Sequence, residues 1–259
     1  MGNSFMDKVS NIYDNMFEGY FHEHIKGKNW QPFFNHGYLN KDNLDFFNYD
    51  AEDLLWKNQC NLYAHVFFIL NKQINNLSLL DVGCGLGHGT YVYKKYFNIK
   101  NITAIDINKN QIKFAKENFK GIDFRVGNAM DLQFENNSFD MITNIESLHG
   151  YKYTDHFYKE SYRILKSQGF LYVTDPFVPI KEDHVTEDFF KKNGFWIKEK
   201  LDITENVIRA CEQDFMSFKD RFKHIHEKSV DFFIDLFKHK YNMYCSGQHV
   251  FLTYILVKP

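Results

Sequence analysis

The stretch LLDVGCGLGHGT, residues 79–90, decides the fold. A short apolar run carrying Asp81 passes into glycine at alternate positions, Gly83, Gly85, Gly87 and Gly89, and then into helix-like patterning. Glycines at a strand-to-helix turn let backbone N–H groups come close to a ligand beyond the carboxyl ends of parallel strands. The dinucleotide fingerprint G-x-G-x-x-G requires glycine at its sixth position, where this chain has His88. The third glycine comes one residue early, at Gly87, which argues against a pyrophosphate seat and so against an NAD-dependent dehydrogenase.

Downstream, the same texture repeats. Short apolar runs at ITAID (102–106), IDFRV (122–126), FDMITN (139–144) and GFLYVTD (169–175) join SLLDV (78–82) as expected buried strands. The segments between them, Thr90–Tyr96, Asn110–Phe119 and Thr154–Lys166, carry helical patterning, the last stopping before Gly169. Strands alternating with helices predict an α/β fold, a parallel sheet with helices on both faces. Upstream, residues 1–75 read as helical, with apolar residues spaced as Ile12–Met16–Tyr20 and Leu54–Cys60–Tyr63–Phe67, and with a loop over Lys28–Tyr38. After Pro176 the spacing predicts a strand at FWIKEKLDI (195–203), one long helix from about Glu205 to His239, and a closing strand HVFLTYILV (249–257). Phe222, Ile225, Phe232, Phe233, Leu236 and Phe237 form the apolar stripe of that helix, which core packing explains better than a membrane or partner surface.

Composition narrows the function. The 259 residues hold 31 Lys+Arg against 33 Asp+Glu, a net charge of −2, which excludes the electrostatic footprint of a nucleic-acid binder. Four cysteines without CxxC spacing argue against a zinc site or disulfide framework and for a reducing, cytoplasmic setting. MGNSFMDKVS lacks the pattern of a signal peptide, and no apolar stretch is long enough to span a bilayer. The 18% aromatic content is explained by base bias at least as well as by an aromatic substrate pocket.

The segment around Gly83 resembles the first motif of the class I S-adenosylmethionine (SAM)-dependent methyltransferases, an acidic residue followed by G-x-G-x-G at the end of the first strand. The resemblance continues in order. Asp106, 23 positions after Gly83, falls where the family binds both ribose hydroxyls, and a carboxylate offers two acceptors to a vicinal diol. Asn128-Ala129-Met130 falls where the family's Asp-Ala meets the adenine edge, with Asn for Asp; Ile107 and Met130 would wall the ring. The resemblance implies SAM as cofactor, bound by Asp81, Gly83, Gly85, Gly87, Asp106, Ile107, Gln111, Asn128, Ala129, Met130, Asn144 and, from the lid, Tyr38. It also implies a Rossmann-like seven-stranded mixed sheet whose last strand is antiparallel. The expected organisation is an N-terminal lid at 1–75, the SAM-binding core at 76–180, a substrate lid at 181–246 and the final core strand at 247–259.

A narrower resemblance lies at NIESLHGYKYTDHFYKESYRILKSQGFLYVTDPF (144–177), which is similar to small-molecule methyltransferases of the sugar O-methyltransferase and cyclopropane-synthase-like type. There an E-S-L segment is followed by a His, and an Asp ends the fifth strand. In this chain His149 follows Leu148 directly, and Gly150-Tyr151 replace the usual spacer. FFNHGYLN (33–40) is similar to the N-terminal region that folds over the cofactor, with Leu39 for Trp, and LDITENV (201–207) matches the same group. The group's natural-product O-methyltransferases imply His149 as base and Asp175 as its helper, with Glu146 a further candidate. Physically, the cofactor carries the driving force and the protein supplies alignment, so what remains is the acceptor's proton, which a neutral imidazole can take.

The reading is therefore methyl transfer to a small organic acceptor, most readily a hydroxyl. Its rivals are a C- or N-methyltransferase on a prenyl, lipid or amine acceptor, with Glu146 stabilising a cation or taking the proton, and a SAM-binding module without catalysis. His22-Glu23-His24 and His224-Ile225-His226 invite a metal, but i,i+2 neighbours on a helix point apart, so no metal is expected. A homo-oligomer is compatible with the sequence.

Overall fold

The computed structural model describes residues 35–42, 46–70, 76–179, 187–221 and 227–259. Their elements run α1 (Ala51–Leu54), α2 (Lys57–Leu70), β1 (Ser78–Val82), α3 (His88–Phe97), β2 (Asn101–Asp106), α4 (Lys109–Asn118), β3 (Asp123–Val126) and β4 (Phe139–Ile145). A 3-10 turn (Leu148–Gly150) follows, then α5 (Thr154–Ile164), β5 (Leu165–Phe177), α6 (Glu187–Lys192), β6 (Trp196–Asp202), α7 (Thr204–Arg221), α8 (Glu227–Cys245) and β7 (Val250–Val257).

The described strands form one seven-stranded sheet in the order β3-β2-β1-β4-β5-β7-β6. β1 to β5 pair in parallel, and β7 runs antiparallel to both β5 and β6, so it alone is reversed, as expected for this fold class. Both faces are covered. Leu79 packs with Val66, Phe67, Val92 and Tyr244 from α2, α3 and α8, whereas its neighbour Leu80 packs on the opposite face with Phe157 and Ile164 of α5 and Phe190 of α6. That two-sided burial is why SLLDV reads as continuous rather than alternating apolar sequence. β1 lies between β2 and β4, so the chain's crossovers leave it in opposite directions, and a crevice opens at the carboxyl ends of these strands.

Two expected elements differ. The helix expected to reach Lys166 ends at Ile164, and β5 begins at Leu165. A register break between the Phe139↔Leu165 and Met141↔Phe170 pairs takes up the intervening residues, with Gln168 in the left-handed region at φ 62°. The single helix expected over 205–239 is two, α7 and α8; Phe222 and Ile225 lie outside the described residues, as do the side chains of Phe232, Phe233 and Leu236. The N-terminal reading of Ile12–Met16–Tyr20 and both His-x-His pairs also lie outside them. Among the described residues no helix is long and apolar enough to cross a membrane.

Candidate active site

The glycine turn is built from local geometry. Gly83, Gly85 and Gly87 take φ of 79°, 54° and 86°, values that cost any residue with a Cβ. A Cβ on Gly83 would stand 1.9 Å from Ser147 Oγ, and one on Gly89 would stand 1.8 Å from a ring carbon of Tyr63. Gly85 differs, since within 4 Å its Cβ would meet just Gln111 Oε1, at 3.3 Å. Its open side faces a cleft with about 1080 Å3 of space, mouth included.

Gly83, Gly85, Gly87, Asp106, Ile107, Gln111, Ala129, Glu146 and His149 line this cleft together. Asp106 Oδ2 accepts the Gly85 N–H at 2.9 Å and Oδ1 accepts the Asn108 N–H at 2.9 Å, so the acid at the end of β2 is tied to the turn at the end of β1. Burial raises its pKa, against the backbone N–H groups of Asn108, Gly85 and Ile107. Asp81 lies beneath the turn, 1% exposed, accepting from Thr143 at 2.8 Å and from Thr90; burial, opposed by these hydroxyls, pushes it up to about 6. Asn144 is likewise under the floor, its amide donating to Val82 O at 2.9 Å and to Tyr151 Oη at 2.8 Å. Asn128 and Met130 flank Ala129 outside the lining, and the Asn128 side-chain oxygen accepts the Met130 N–H at 3.0 Å. Tyr38 is also outside the lining, stacked on His65 at 4.3 Å between ring centroids.

At the exits of β4 and β5 sit two carboxylate–histidine pairs. His149 Nδ1 is 2.9 Å from Asp175 Oδ1, while Asp175 Oδ2 accepts the Leu148 N–H at 2.9 Å. A carboxylate accepts, so Nδ1 carries the hydrogen and Nε2 is left for a ligand. The Asp175 charge raises the His149 pKa above its ordinary value in spite of partial burial. Asp175 is 1% exposed at the side chain and His149 42%, so the acid supports a ring that faces open space.

The second pair was not legible in the sequence. Glu146, at φ 47°, holds His36 twice: Oε1 accepts the His36 backbone N–H at 2.6 Å, and Oε2 meets His36 Nδ1. Both side chains are buried, and the residues are 110 positions apart. Burial lowers the His36 pKa more than Glu146 raises it. Burial alone would raise Glu146, but His36, with help from Lys240, holds it below the usual carboxylate value. A carboxylate oxygen accepts, so His36 Nδ1 carries the hydrogen of this bond. The pair pins the N-terminal strip against the catalytic end of β4 and brings Asn35 into the cleft lining. Tyr63, Ser147, Tyr151 and Lys240 also line the cleft without having been foreseen. Among the described residues no group of three or more metal-ligating side chains occurs.

Comparison with known proteins gives the family by sequence and the fold by structure. A methyltransferase-domain family profile matches residues 80–173. A protein named "Fatty-acid O-methyltransferase" from Mycolicibacterium smegmatis is 30% identical over 149 residues, 53% of this chain and 54% of that protein, so the match spans about half of that relative. "Probable phthiotriol/phenolphthiotriol dimycocerosates methyltransferase 2" from Mycobacterium ulcerans is 30% identical over 208 residues, 76% of this chain and 80% of its own length. Among solved structures the 4+2 cyclase SpnF superposes with a TM-score of 0.71 at 19% identity, covering 100% of this chain and 98% of that one. A cyclase on this fold illustrates that the fold alone does not set the reaction. The glycine turn, the ordered motifs along β1 to β5 and the 208-residue relative together make this chain a member of the class I SAM-dependent methyltransferases, with SAM as its cofactor.

Proposed function

We propose that the protein transfers a methyl group from SAM to an oxygen of a small organic or lipid-like acceptor, with His149 as general base. The observation that carries this reading is the His149–Asp175 pair, 2.9 Å apart, in the same cleft as the glycine turn.

The residues present suit the cofactor. Gly85 leaves room for close approach, Asp106 stands at the cleft edge as the group to hold a ribose diol, and Gln111, Ile107 and Ala129 supply the remaining wall. When bound, SAM supplies a methyl group already activated on a sulfonium. The chain's own residues then have two tasks. One is to align the acceptor oxygen, for which well-oriented reactants gain on the order of 7–11 kcal/mol over free ones. The other is the acceptor's proton, which would pass to His149 Nε2 as the new O–C bond forms and the methyl group parts from the sulfur, leaving S-adenosylhomocysteine, while Asp175 stabilises the imidazolium that results. In the C- or N-methylation alternative Glu146, which lines the cleft and whose oxygens also hold His36, would take the proton or stabilise a cation.

The test is His149→Ala. Turnover measured with methyl-labelled SAM over a panel of phenols and hydroxy-fatty acids is expected to fall roughly 10²–10⁴-fold. SAM affinity by calorimetry should stay within about twofold. Wild-type turnover in His149→Ala, with loss in Glu146→Gln, would transfer the proton to the carboxylate and sink the reading.

A further inference from the structure

α8 carries a charge where its pattern calls for an apolar side chain. Phe237 packs against the core and Tyr244 is 4% exposed, while Lys238 and His239 between them are exposed. Residues 237, 240, 241 and 244 therefore form the helix's inward stripe. Lys240 is the one polar cation on that stripe; it is half-buried and lines the cleft. The rings on either side of it, Phe237 and Tyr244, lie 5.9 Å and 5.5 Å from the His36 ring, so the lysine is set over the end of the cleft where β4 and β5 finish.

The acids at that end are already engaged. Glu146 is held by His36 through both oxygens, and Asp175 is held by His149 and the Leu148 N–H. Among the described residues Lys240 has no carboxylate within ion-pair distance. Its positive charge lowers the pKa of His36, Glu146 and His149 alike. A half-buried ammonium on the wall of a cleft, with no carboxylate beside it among the described residues, is suited to an anion that enters the cleft.

We propose that Lys240 binds a carboxylate of the methyl acceptor, so that the substrate class is an organic acid whose reacting oxygen lies at His149. This rests on the methyltransferase reading above. The cofactor also bears a carboxylate, but the glycine turn and Asp106 stand at the exits of β1 and β2, whereas Lys240 shares its end of the cleft with the groups at the exits of β4 and β5. The acceptor is thus the ligand that Lys240 faces.

Calorimetric titration of the complex with S-adenosylhomocysteine separates the sources. The probes are dodecanoate, 3-hydroxydodecanoate and 4-hydroxybenzoate, each against its own methyl ester. In the wild-type protein at least one acid is expected to bind tenfold or more tightly than its ester. Lys240→Met, whose side chain suits an apolar stripe, should abolish that preference, and Lys240→Arg should retain part of it. SAM affinity should remain within twofold in both. No preference for acid over ester in any pair overturns the proposal. So does an acid preference that survives in Lys240→Met, which would leave the lysine a distant counter-charge to Glu146. A tenfold loss of SAM affinity in Lys240→Met would assign the lysine to the cofactor's carboxylate instead. Binding requires no turnover, so an acid preference lost in Lys240→Met supports this site even where His149→Ala leaves turnover unchanged, and the role of Lys240 and the role of His149 fail separately.

Discussion

Replacing His36 by alanine tests the buried pair that closes the N-terminal strip over the site. In the folded protein the Glu146 side chain is 4% exposed, and the substitution deletes the ring that faces Oε2 while leaving the backbone N–H on Oε1. A carboxylate left buried after loss of its partner typically costs about 3–5 kcal/mol. For a chain of this size, at about 2–4 °C per kcal/mol, the melting temperature should fall by roughly 6–20 °C. Glu146 has a depressed folded pKa, so its contribution is present above the ordinary carboxylate value of 4.5 and lost as pH falls through the folded value. The deficit of His36→Ala should therefore be largest near pH 7 and shrink below pH ~4.5. Adding Glu146→Gln removes the stranded charge, so the double variant should be no less stable than His36→Ala alone. The assay is thermal unfolding by circular dichroism at several pH values. A melting temperature for His36→Ala within 2 °C of wild type at pH 7, a shift of at most about 1 kcal/mol, would show that Glu146 is solvated and refute the reasoning.

Other expectations follow from the same geometry. Asp106→Ala should weaken SAM binding by roughly 10- to 150-fold, the equivalent of about 1.5–3 kcal/mol for a lost charge-assisted partner, and calorimetry reads it directly. Because Asp175 raises the His149 pKa, turnover should rise with pH through an inflection above 6.5; Asp175→Asn should move that inflection down and His149→Ala should remove it. A raised histidine pKa contributes stability that is full below 6.5 and lost as pH rises through the folded value, so Asp175→Asn should destabilise more at pH 6 than at pH 9 in urea melts.

Among the described residues many of the aromatic side chains pack on one another. Phe46 stacks on Phe68 at 4.1 Å and Phe47 on Tyr96 at 5.0 Å, and Phe67 lies tilted against Phe97 at 4.2 Å, a cluster that fastens the residues before α2 to α2 and α3. Composition records that such rings exist and is silent on whether they line a cleft or fill a core.

What the chain's order determines by itself is whatever depends on neighbours a few positions apart. SLLDV is a strand because its apolar residues are contiguous, the turn after it is possible because Gly83, Gly85 and Gly87 tolerate positive φ, and Asp106 meets that turn because β1 and β2 must pair side by side. His149 and Asp175, 26 positions apart, were legible for the same reason: one helix and one strand bring the exits of adjacent parallel strands together. The boundary at Ile164 was decided by the sheet, since the pairing of β4 with Leu165 outweighs the helical pattern that continues past it. The His36–Glu146 pair and the inward aim of Lys240 were decided only by tertiary structure. They join segments whose separation carries no period, and their meeting depends on how the N-terminal strip and α8 dock across the finished sheet.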